Sequence, residues 1–596
     1  MLVHRAALLG SIVVLLIASA GCGASDTPSS GGGGSTSTAG ASTGGTGGAG
    51  GATTSSTEPD PSEALFDPAH VVEVSIEIAA ADWDALRFQA RDVMELLGPG
   101  CHDAPHASPY TYFPATVTVD GEKLATSGVR KKGFLGSASI SKPSLKISFD
   151  EFVPGREAFG VEGITLNNSR QDPSLVKTCL AMKVFRDAGV PASRCNFAHV
   201  TVNGADLGVY VHIEPITKRF LGRHFADETG NLYEGQLSDF RAGWMDSYEK
   251  KTNESDPDRS DLDAVTNALG SADADLAANL GAVLDVEAFD RFWAAESLVA
   301  AWDGYASNTN NHFVYHDPST GKMAFIPWGP DMSFDEDDPF LPASRPQSVS
   351  AKGAVARRLY QVPATKAQYV DTMKGLLDTA WKEDALLAEI DRIQNMLAPV
   401  LGAGAAKANA AADGVRAFVS GRRATIDAEL SSPPAWVFPP PGGCLSTVGT
   451  ASGTFSTTFG SLADVQGNPF GTGEATFDIE VPVGAPPVSA TMDSSAAGYE
   501  AGVKSRRELL VLGQFPDGKL RAMVFYVDPE VFAPGKDLAY DWQTVMGYVV
   551  EITGPNQSKI VGMAGGGTLH FDEAAAMSGA PISGTFDTTV LASLFQ

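Results

Sequence analysis

Residues 71–78, VVEVSIEI, alternate apolar and polar positions with the two-residue period of a strand that buries one face. Through 80–97 the apolar positions change to helical spacing, carried by Trp83, Leu86, Phe88, Val93 and Leu96–Leu97. Val117-Thr118-Val119-Asp120-Gly121-Glu122 sets Asp-Gly between strand residues, the signal of a tight hairpin. Ser144 to Phe149 reads as a further strand. Asp172-Pro173-Ser174 joins an N-cap to a first-turn proline and predicts a helix running to about Ala188–Gly189. Val200-Thr201-Val202-Asn203-Gly204 begins a second hairpin, which returns through Gly208 to Glu214. Beyond Phe220 helical spacing dominates. It is broken between 308 and 334 by the strands HFVYH and MAFIPW, and it resumes from about 353 to Leu430.

After Leu430 the pattern changes. SSPPAWVFPPPGG, residues 431–443, predicts a Pro-rich hinge across which few contacts pass. From 445 to 596 short alternating runs such as EATFDIEV, RAMVFYV and GYVVEIT are separated by Gly, Pro and Asp turns. They predict an all-β sandwich. It carries no evident chemical constellation, so an accessory or surface-binding module is expected. The class is α+β: a mixed domain over 62–430, a linker over 431–444 and a β-sandwich over 445–596.

Residues 1–22 begin with Arg5, continue through an uncharged, mostly apolar run from Ala6 to Ala20, and end in small residues before Cys22. This is a signal segment, too short to span a bilayer comfortably. It resembles a bacterial lipobox, although Ser19 stands where Leu is usual. Lipidation at Cys22 is therefore expected, with the chain exported and anchored in the bacterial cell envelope, at the outer membrane or cell surface, through lipid only; the alternative is ordinary signal-peptidase cleavage nearby, which also exports the chain. Residues 23–61 are Gly, Ser, Thr and Ala with almost no large apolar side chain, the composition of a flexible tether. Gly40-Ala41-Ser42-Thr43-Gly44 in that tether matches a nucleophile-elbow pattern but has no strand before it and no helix after it.

The formal charge of −28 argues against nucleic acid or an anionic lipid surface as partner. Five cysteines in 596 residues exclude a disulfide scaffold. Cys179 and Cys195 flank a helix end and a strand start, and form the favoured pair; the alternative is two buried thiols. Cys101, His102, Asp103 and His106 are metal-ligand types, but no second ligand pair lies at zinc-like spacing. His312 and His316 share a strand face and read as structural.

In the strand Lys142 to Phe149, Leu145, Ile147 and Phe149 share one face, and Lys142, Ser144, Lys146 and Ser148 the other. Following Arg130-Lys131-Lys132-Gly133, these lysines make a cationic patch suited to phosphate; the alternative is a solvated strand face. Asp303 is followed five residues later by Asn308, the spacing of a kinase catalytic loop, and Asp331 stands where a second metal-binding Asp is expected.

With these residues in place, the stretch from about 71 to 430 resembles the spore coat protein H (CotH) kinase family. The similar pieces run in order: Gly128-Val129-Arg130-Lys131-Lys132-Gly133; the Lys-rich strand from 142; Leu166-Asn167-Asn168 with Asp172, Ser174 and Leu175; Asn203-Gly204 with Gly208-Val209-Tyr210 and Glu214; Gly230-Asn231-Leu232-Tyr233; Asp303, Asn308, Asn311, Tyr315, Pro327-Trp328 and Asp331; and Phe418 to Leu430 with Arg423. The resemblance implies an atypical protein-kinase-like fold that transfers phosphate from ATP to protein Ser or Thr hydroxyls with Mg²⁺ or Mn²⁺. Asp303 would be catalytic, Asn308 and Asp331 would hold metal, and Lys146, or Lys142, would pair with nucleotide phosphates. Arg130 would approach the nucleotide and Glu214 would sit near the adenine-side hinge. Two positions depart from the family pattern: Gly329 replaces a carboxylate and Glu234 replaces a Lys. Restoring a carboxylate at 329 is expected to strengthen metal holding, unless the acidic run Asp335–Asp338 folds back to replace it. A non-catalytic surface-binding protein on the same scaffold is the alternative, since some family members act as surface adhesins. A carbohydrate-active protein is a third reading, without an identifiable acid pair. The partner is a protein substrate or surface protein.

Overall fold

A computed structural model describes residues 60–592, except 501–502 and 555–556. The expected signal segment with Cys22, and nearly all of the stretch expected to be a tether, lie outside the described residues. Among the described residues no helix is long and apolar enough to cross a membrane.

The first unit is a closed barrel. Its strands are β1 (Val72–Ile78), β2 (Phe113–Val119), β3 (Glu122–Lys132), β4 (Ser144–Ser148), β5 (Gly163–Asn167), β6 (Cys195–Val202) and β7 (Ala205–Ile213). They pair in the order β1-β2-β3-β4-β5-β7-β6, and a parallel β1–β6 pair closes the ring. The predicted alternation holds, since β1 buries every second residue. Val74, Ile76, Val117, Ile147, Leu166 and Val200 fill the interior. Both predicted hairpins form. Asp120 and Gly121 have φ of +45° and +87°, and Asn203 and Gly204 +50° and +79°, the paired positive values that match the twist of two strands.

The helical region follows, with a four-stranded sheet set into it: β8 (Asn231–Gly235), β9 (Glu249–Lys250), β10 (His312–Asp317) and β11 (Lys322–Pro327), in the order β11-β10-β8-β9. Its core is built around the helices Val286–Leu298 and Pro363–Thr379, where the Trp293 and Tyr369 rings lie 3.8 Å apart. The helix Ala405–Leu430 buries Arg422, which donates to the Leu298 carbonyl at 3.0 Å and so satisfies the end of the helix it packs on.

Two local expectations change. The apolar run 80–97 is two helices, Ala80–Phe88 and Val93–Leu97. Asp92 starts the second by accepting from the Met94 N–H at 2.7 Å. The break re-aims the apolar residues: Leu86 faces the barrel core, whereas Val93, Leu96 and Leu97 pack on Met563 and Leu591. Asp172 lies five residues before the helix, which begins at Lys177, and ties a tight turn to the first helical N–H. Its Oδ1 accepts from the Ser174 N–H at 3.0 Å and its Oδ2 from the Lys177 N–H at 2.8 Å.

The C-terminal strands are β12 (Thr447–Thr458), β13 (Glu474–Glu480), β14 (Val488–Ser489), β15 (Met492–Glu500), β16 (Val503–Gln514), β17 (Leu520–Val527), β18 (Lys536–Ala539), β19 (Val545–Gly554), β20 (Gln557–Glu573) and β21 (Pro581–Leu591). Nine of them form one continuous path, β14-β13-β12-β21-β20-β19-β17-β16-β15, and the tenth, β18, pairs with β20. The path curls until β12 and β13 meet β15, enclosing Phe455, Phe477, Val511, Phe525 and Phe586. The molecule is thus of mixed α and β structure.

The expectation that few contacts cross the Pro-rich segment is corrected. Cys101 and Cys444 form a disulfide, and the Leu445 N–H donates to the Leu97 carbonyl at 2.6 Å. Arg87 pairs with Glu530, and Lys131 donates to Gln543. The segment itself is fastened. Tyr360 and Lys366 donate to the Pro434 carbonyl at 3.0 and 2.8 Å, and Arg357 to that of Phe438 at 2.6 Å. Cys179 and Cys195 are bonded, as the sequence favoured.

Asp290, on the helix Val286–Leu298, is 1 % exposed, and neither carboxyl oxygen has a hydrogen-bond partner among the described residues. Burial pushes its carboxyl up to about 7. An acid raised on folding stays protonated while the unfolded chain ionises, so stability falls as pH rises from about 4 toward 7. Asp290→Asn is expected to remove a slope on the order of 1 kcal/mol per pH unit across that window. Urea unfolding of both proteins at several pH values measures it, and equal slopes would contradict the assignment.

Candidate functional site

After the helix Val286–Leu298 the chain turns at Ala300, with φ of +52°, and enters a single helical turn, Tyr305–Asn308. Glu296 caps that turn: its Oε1 accepts from the Tyr305 N–H and its Oε2 from the Ala306 N–H, each at 2.9 Å. Burial pushes the Glu296 carboxyl up to about 8 against the pull of these donors. Gly304 has no room for a side chain, because a Cβ would lie 2.3 Å from Glu296 Oε1. On the other side the Tyr305 hydroxyl donates to Asp239 Oδ1 at 2.9 Å. Asp239 is buried and also takes the Ala354 N–H at 3.0 Å and Arg241 Nε at 2.6 Å.

This frame presents Asp303. Its Oδ1 accepts from Asn308 Nδ2 at 2.7 Å and Asn310 Nδ2 at 3.2 Å, and its Oδ2 from Asn311 Nδ2 at 2.8 Å. The three amides converge because Thr309 and Asn311, with φ of +52° and +50°, wind the chain back around the carboxylate. Burial pushes the Asp303 carboxyl up while the amides oppose it. Asp331 follows β11 and lies in the same field. Burial first, then the Asp303 charge, pushes it up to about 7, with Lys132 acting against them. Asp303, Gly304, Asn311, Trp328, Gly329 and Met332 line a narrow cleft there.

The barrel contributes the cations. The β3–β4 register sets Arg130 opposite Lys146 and Lys132 opposite Ser144, so these side chains share the outer strand face. Lys132 donates to Asn167 and lies 5.7 Å from the Trp328 ring centre. Burial lowers its ammonium to about 8, opposed by Glu234 and Asp331. Lys146 is lowered by burial and then by Arg130 and Lys251, with Glu234 and Glu249 opposing. Arg130 lies 5.3 Å from the Tyr112 ring centre and reaches Ser108 Oγ at 3.4 Å.

The structure therefore gathers Asp303, Asn308 and Asp331, with Arg130 and Lys146 on the strand face beside Lys132. It does not gather the other two. Lys142 donates to the Val209 carbonyl at 2.7 Å and rests 4.7 Å from the Tyr210 ring centre. Glu214 stands where the barrel strand β7 leaves for the helical region, but its carboxylate is taken by the Arg194 and Arg223 guanidinium groups. Cys22 lies outside the described residues. Lys132, Glu296 and Asn310 were not singled out from the sequence. The available signal for Lys132 was strand parity, since it shares a face with Arg130.

The expectation for position 329 changes. Gly329 has φ of +53°, and a Cβ there would lie 2.9 Å from Asn311 Oδ1, so a carboxylate at 329 displaces an amide that holds Asp303. Of the acidic run, Asp335, Glu336 and Asp337 are exposed. Only Asp338 turns inward, 3.6 Å from Arg345 and close enough to raise Asp303. His312 is a structural residue: burial lowers it to about 3, and its Nε2 faces the Tyr248 hydroxyl at 3.0 Å.

Gly304→Ala is expected to lower stability by roughly 1–3 kcal/mol through overpacking against Glu296. Thermal unfolding measures this, and an unchanged midpoint would show that the turn yields freely.

The family model described as CotH kinase protein matches residues 129–429. The inner spore coat protein H of Bacillus subtilis (strain 168) is 26 % identical over 211 residues, 33 % of this chain and 56 % of that protein. Invasin CotH2 of Rhizopus delemar is 24 % identical over 312 residues, 48 % of this chain and 52 % of that protein. The chain spans about half the length of these two relatives. A second Bacillus subtilis protein, the inner spore coat protein H-like protein, is 24 % identical over 281 residues, 44 % of this chain and 80 % of that protein. The matched span contains the cationic strands, Asp303 with its three asparagines, and Asp331, and it covers half of the sequence: the chain belongs to the CotH kinase protein family.

Proposed function

We propose that this protein transfers the terminal phosphoryl group of ATP to a Ser or Thr hydroxyl of a surface or coat protein. The observation that carries the reading is the Asp303 carboxylate held by three asparagine amides, with Asp331 raised by burial and by the Asp303 charge and opposed by Lys132. On this reading the barrel is the small lobe of a kinase-like fold, the helical region the large lobe, and the curled C-terminal sheet an accessory sandwich.

Asp303 is oriented by amides that only donate, which leaves carboxylate lone pairs to accept the proton of an incoming hydroxyl. Asp331 and Asn308 supply hard oxygen ligands for Mg²⁺ or Mn²⁺. Two raised carboxylates side by side fit a divalent cation, whose charge would relieve their repulsion. When bound, such an ion supplies electrostatic stabilisation of phosphate oxygens. Lys132, Lys146 and Arg130 present one cationic strand face for the phosphates. Lys142 and Glu214 have no part in this reading.

The second reading is a surface protein that binds without catalysis. It is favoured by the engagement of Glu214 with two arginines, by the missing carboxylate at 329 and by the name invasin among the relatives. Both readings suit a chain exported and held in the cell envelope by lipid at Cys22, and coat and invasin relatives support a surface-associated protein.

Asp303→Asn and Asp331→Asn are each expected to lower phosphoryl transfer at least about 100-fold with unchanged thermal unfolding. Lys132→Met is expected to raise KM for ATP, and Lys142→Met to leave it unchanged. Labelled ATP with Mg²⁺ or Mn²⁺ and the purified protein provide the assay. Near-normal transfer by either Asp variant would overturn the site. A native protein that binds neither nucleotide nor metal would favour the binding reading.

A further inference from the structure

The loop that follows the helix Val93–Leu97 carries Cys101, His102 and His106. The sequence alone offered no further ligands at suitable spacing. The fold brings one from 343 residues away: Cys444, at the end of the Pro-rich segment, is bonded to Cys101. The two sulfur atoms and a ring nitrogen of His102 all lie within 4.8 Å of one another. His102 is 7 % exposed, and its Nδ1 is buried with no hydrogen-bond partner among the described residues. A buried imidazole nitrogen without a partner is costly, because it has lost water and gained nothing. The ring cannot swing out to recover water. It stacks on Trp244 at 3.6 Å, and Trp244 is in turn covered by the Arg241 guanidinium at 4.0 Å. His106 Nε2, four residues on, is likewise buried and unpartnered.

Two cysteines and one or two histidines are the donor set of a tetrahedral site for a soft divalent cation. Both backbones are already fixed for it, since the Leu445 N–H beside Cys444 is held by the Leu97 carbonyl at 2.6 Å. Ordinary disulfides need no imidazole, so the orphaned nitrogen is the feature that the bond alone leaves unexplained.

We propose that Cys101, Cys444 and His102 form a second, redox-gated site that holds one zinc-like cation when the disulfide is reduced. A dithiol donor gives two electrons and two protons and becomes a disulfide, while the Cys101–Cys444 bond breaks to two thiols. Binding of the divalent cation then releases the two thiol protons, and His102 donates a neutral lone pair. The C-terminal sheet is thereby tied to the barrel in either state, by a covalent bond or by a metal bridge. The site is separate from the Asp303–Asp331 pair and does not depend on the kinase reading.

The test uses the full chain, reduced, desalted without oxygen and titrated with Co²⁺. The readout is the thiolate-to-cobalt charge-transfer band, which carboxylate ligands cannot produce. One equivalent with that band, displaced by Zn²⁺, is expected. The band should be lost in Cys444→Ser and in His102→Ala and kept in Cys179→Ser. Circular dichroism of the His102→Ala protein separates loss of a ligand from loss of the fold. A reduced wild-type chain without the band, or a folded His102→Ala chain with the wild-type band, would overturn the proposal.

Discussion

Holding Asp303 and Asp331 beside one another, partly out of water, costs electrostatic free energy, and much of the surrounding structure offsets that cost. Three asparagine amides converge on Asp303, and Lys132 supplies the opposing charge for Asp331. Behind them Glu296 ties down the turn that presents Asp303, and Asp239 anchors the Tyr305 hydroxyl in that turn. These supports come from elements far apart in sequence, so the pair exists only when the barrel, the β8–β11 sheet and the helices have assembled.

Strand β3 connects this site to the rest of the molecule because both of its faces are used. Arg130 and Lys132 share one face, and Lys132 lies 5.7 Å from the ring centre of Trp328, which lines the cleft. Between them Lys131 points the other way and is fully buried. It donates to the Arg87 and Gln89 carbonyls at 2.8 and 2.7 Å and to Gln543 of the C-terminal sheet. All three partners are neutral oxygens, and burial lowers the ammonium to about 7. The strand that carries Arg130 and Lys132 is therefore braced from behind by the C-terminal sheet.

The Pro-rich segment is a strap rather than a hinge. Prolines donate no N–H, but their carbonyls accept from Arg241, Tyr360 and Lys366 of the helical region, and the Phe438 carbonyl accepts from Arg357. A composition that reads as a spacer in isolation becomes a fixed path when long cationic side chains line it.

What the sequence determined by itself was local. The period of β1 and the two Asp-Gly and Asn-Gly turns follow from two-residue alternation and from φ preferences. So does the five-residue step from Asp303 to Asn308, which one helical turn and its αL cap close into a hydrogen bond. Tertiary structure decided what depends on burial and on distant partners. It spent Glu214 on two arginines, turned Lys142 onto Tyr210, and brought Lys132 into the field of Asp331. It curled nine β strands into one path with a tenth beside it, and paired Cys101 with Cys444 across 343 residues. None of these is a property of a short window, because desolvation and charge pairing are set by whichever side chains the completed fold brings within a few ångströms of one another.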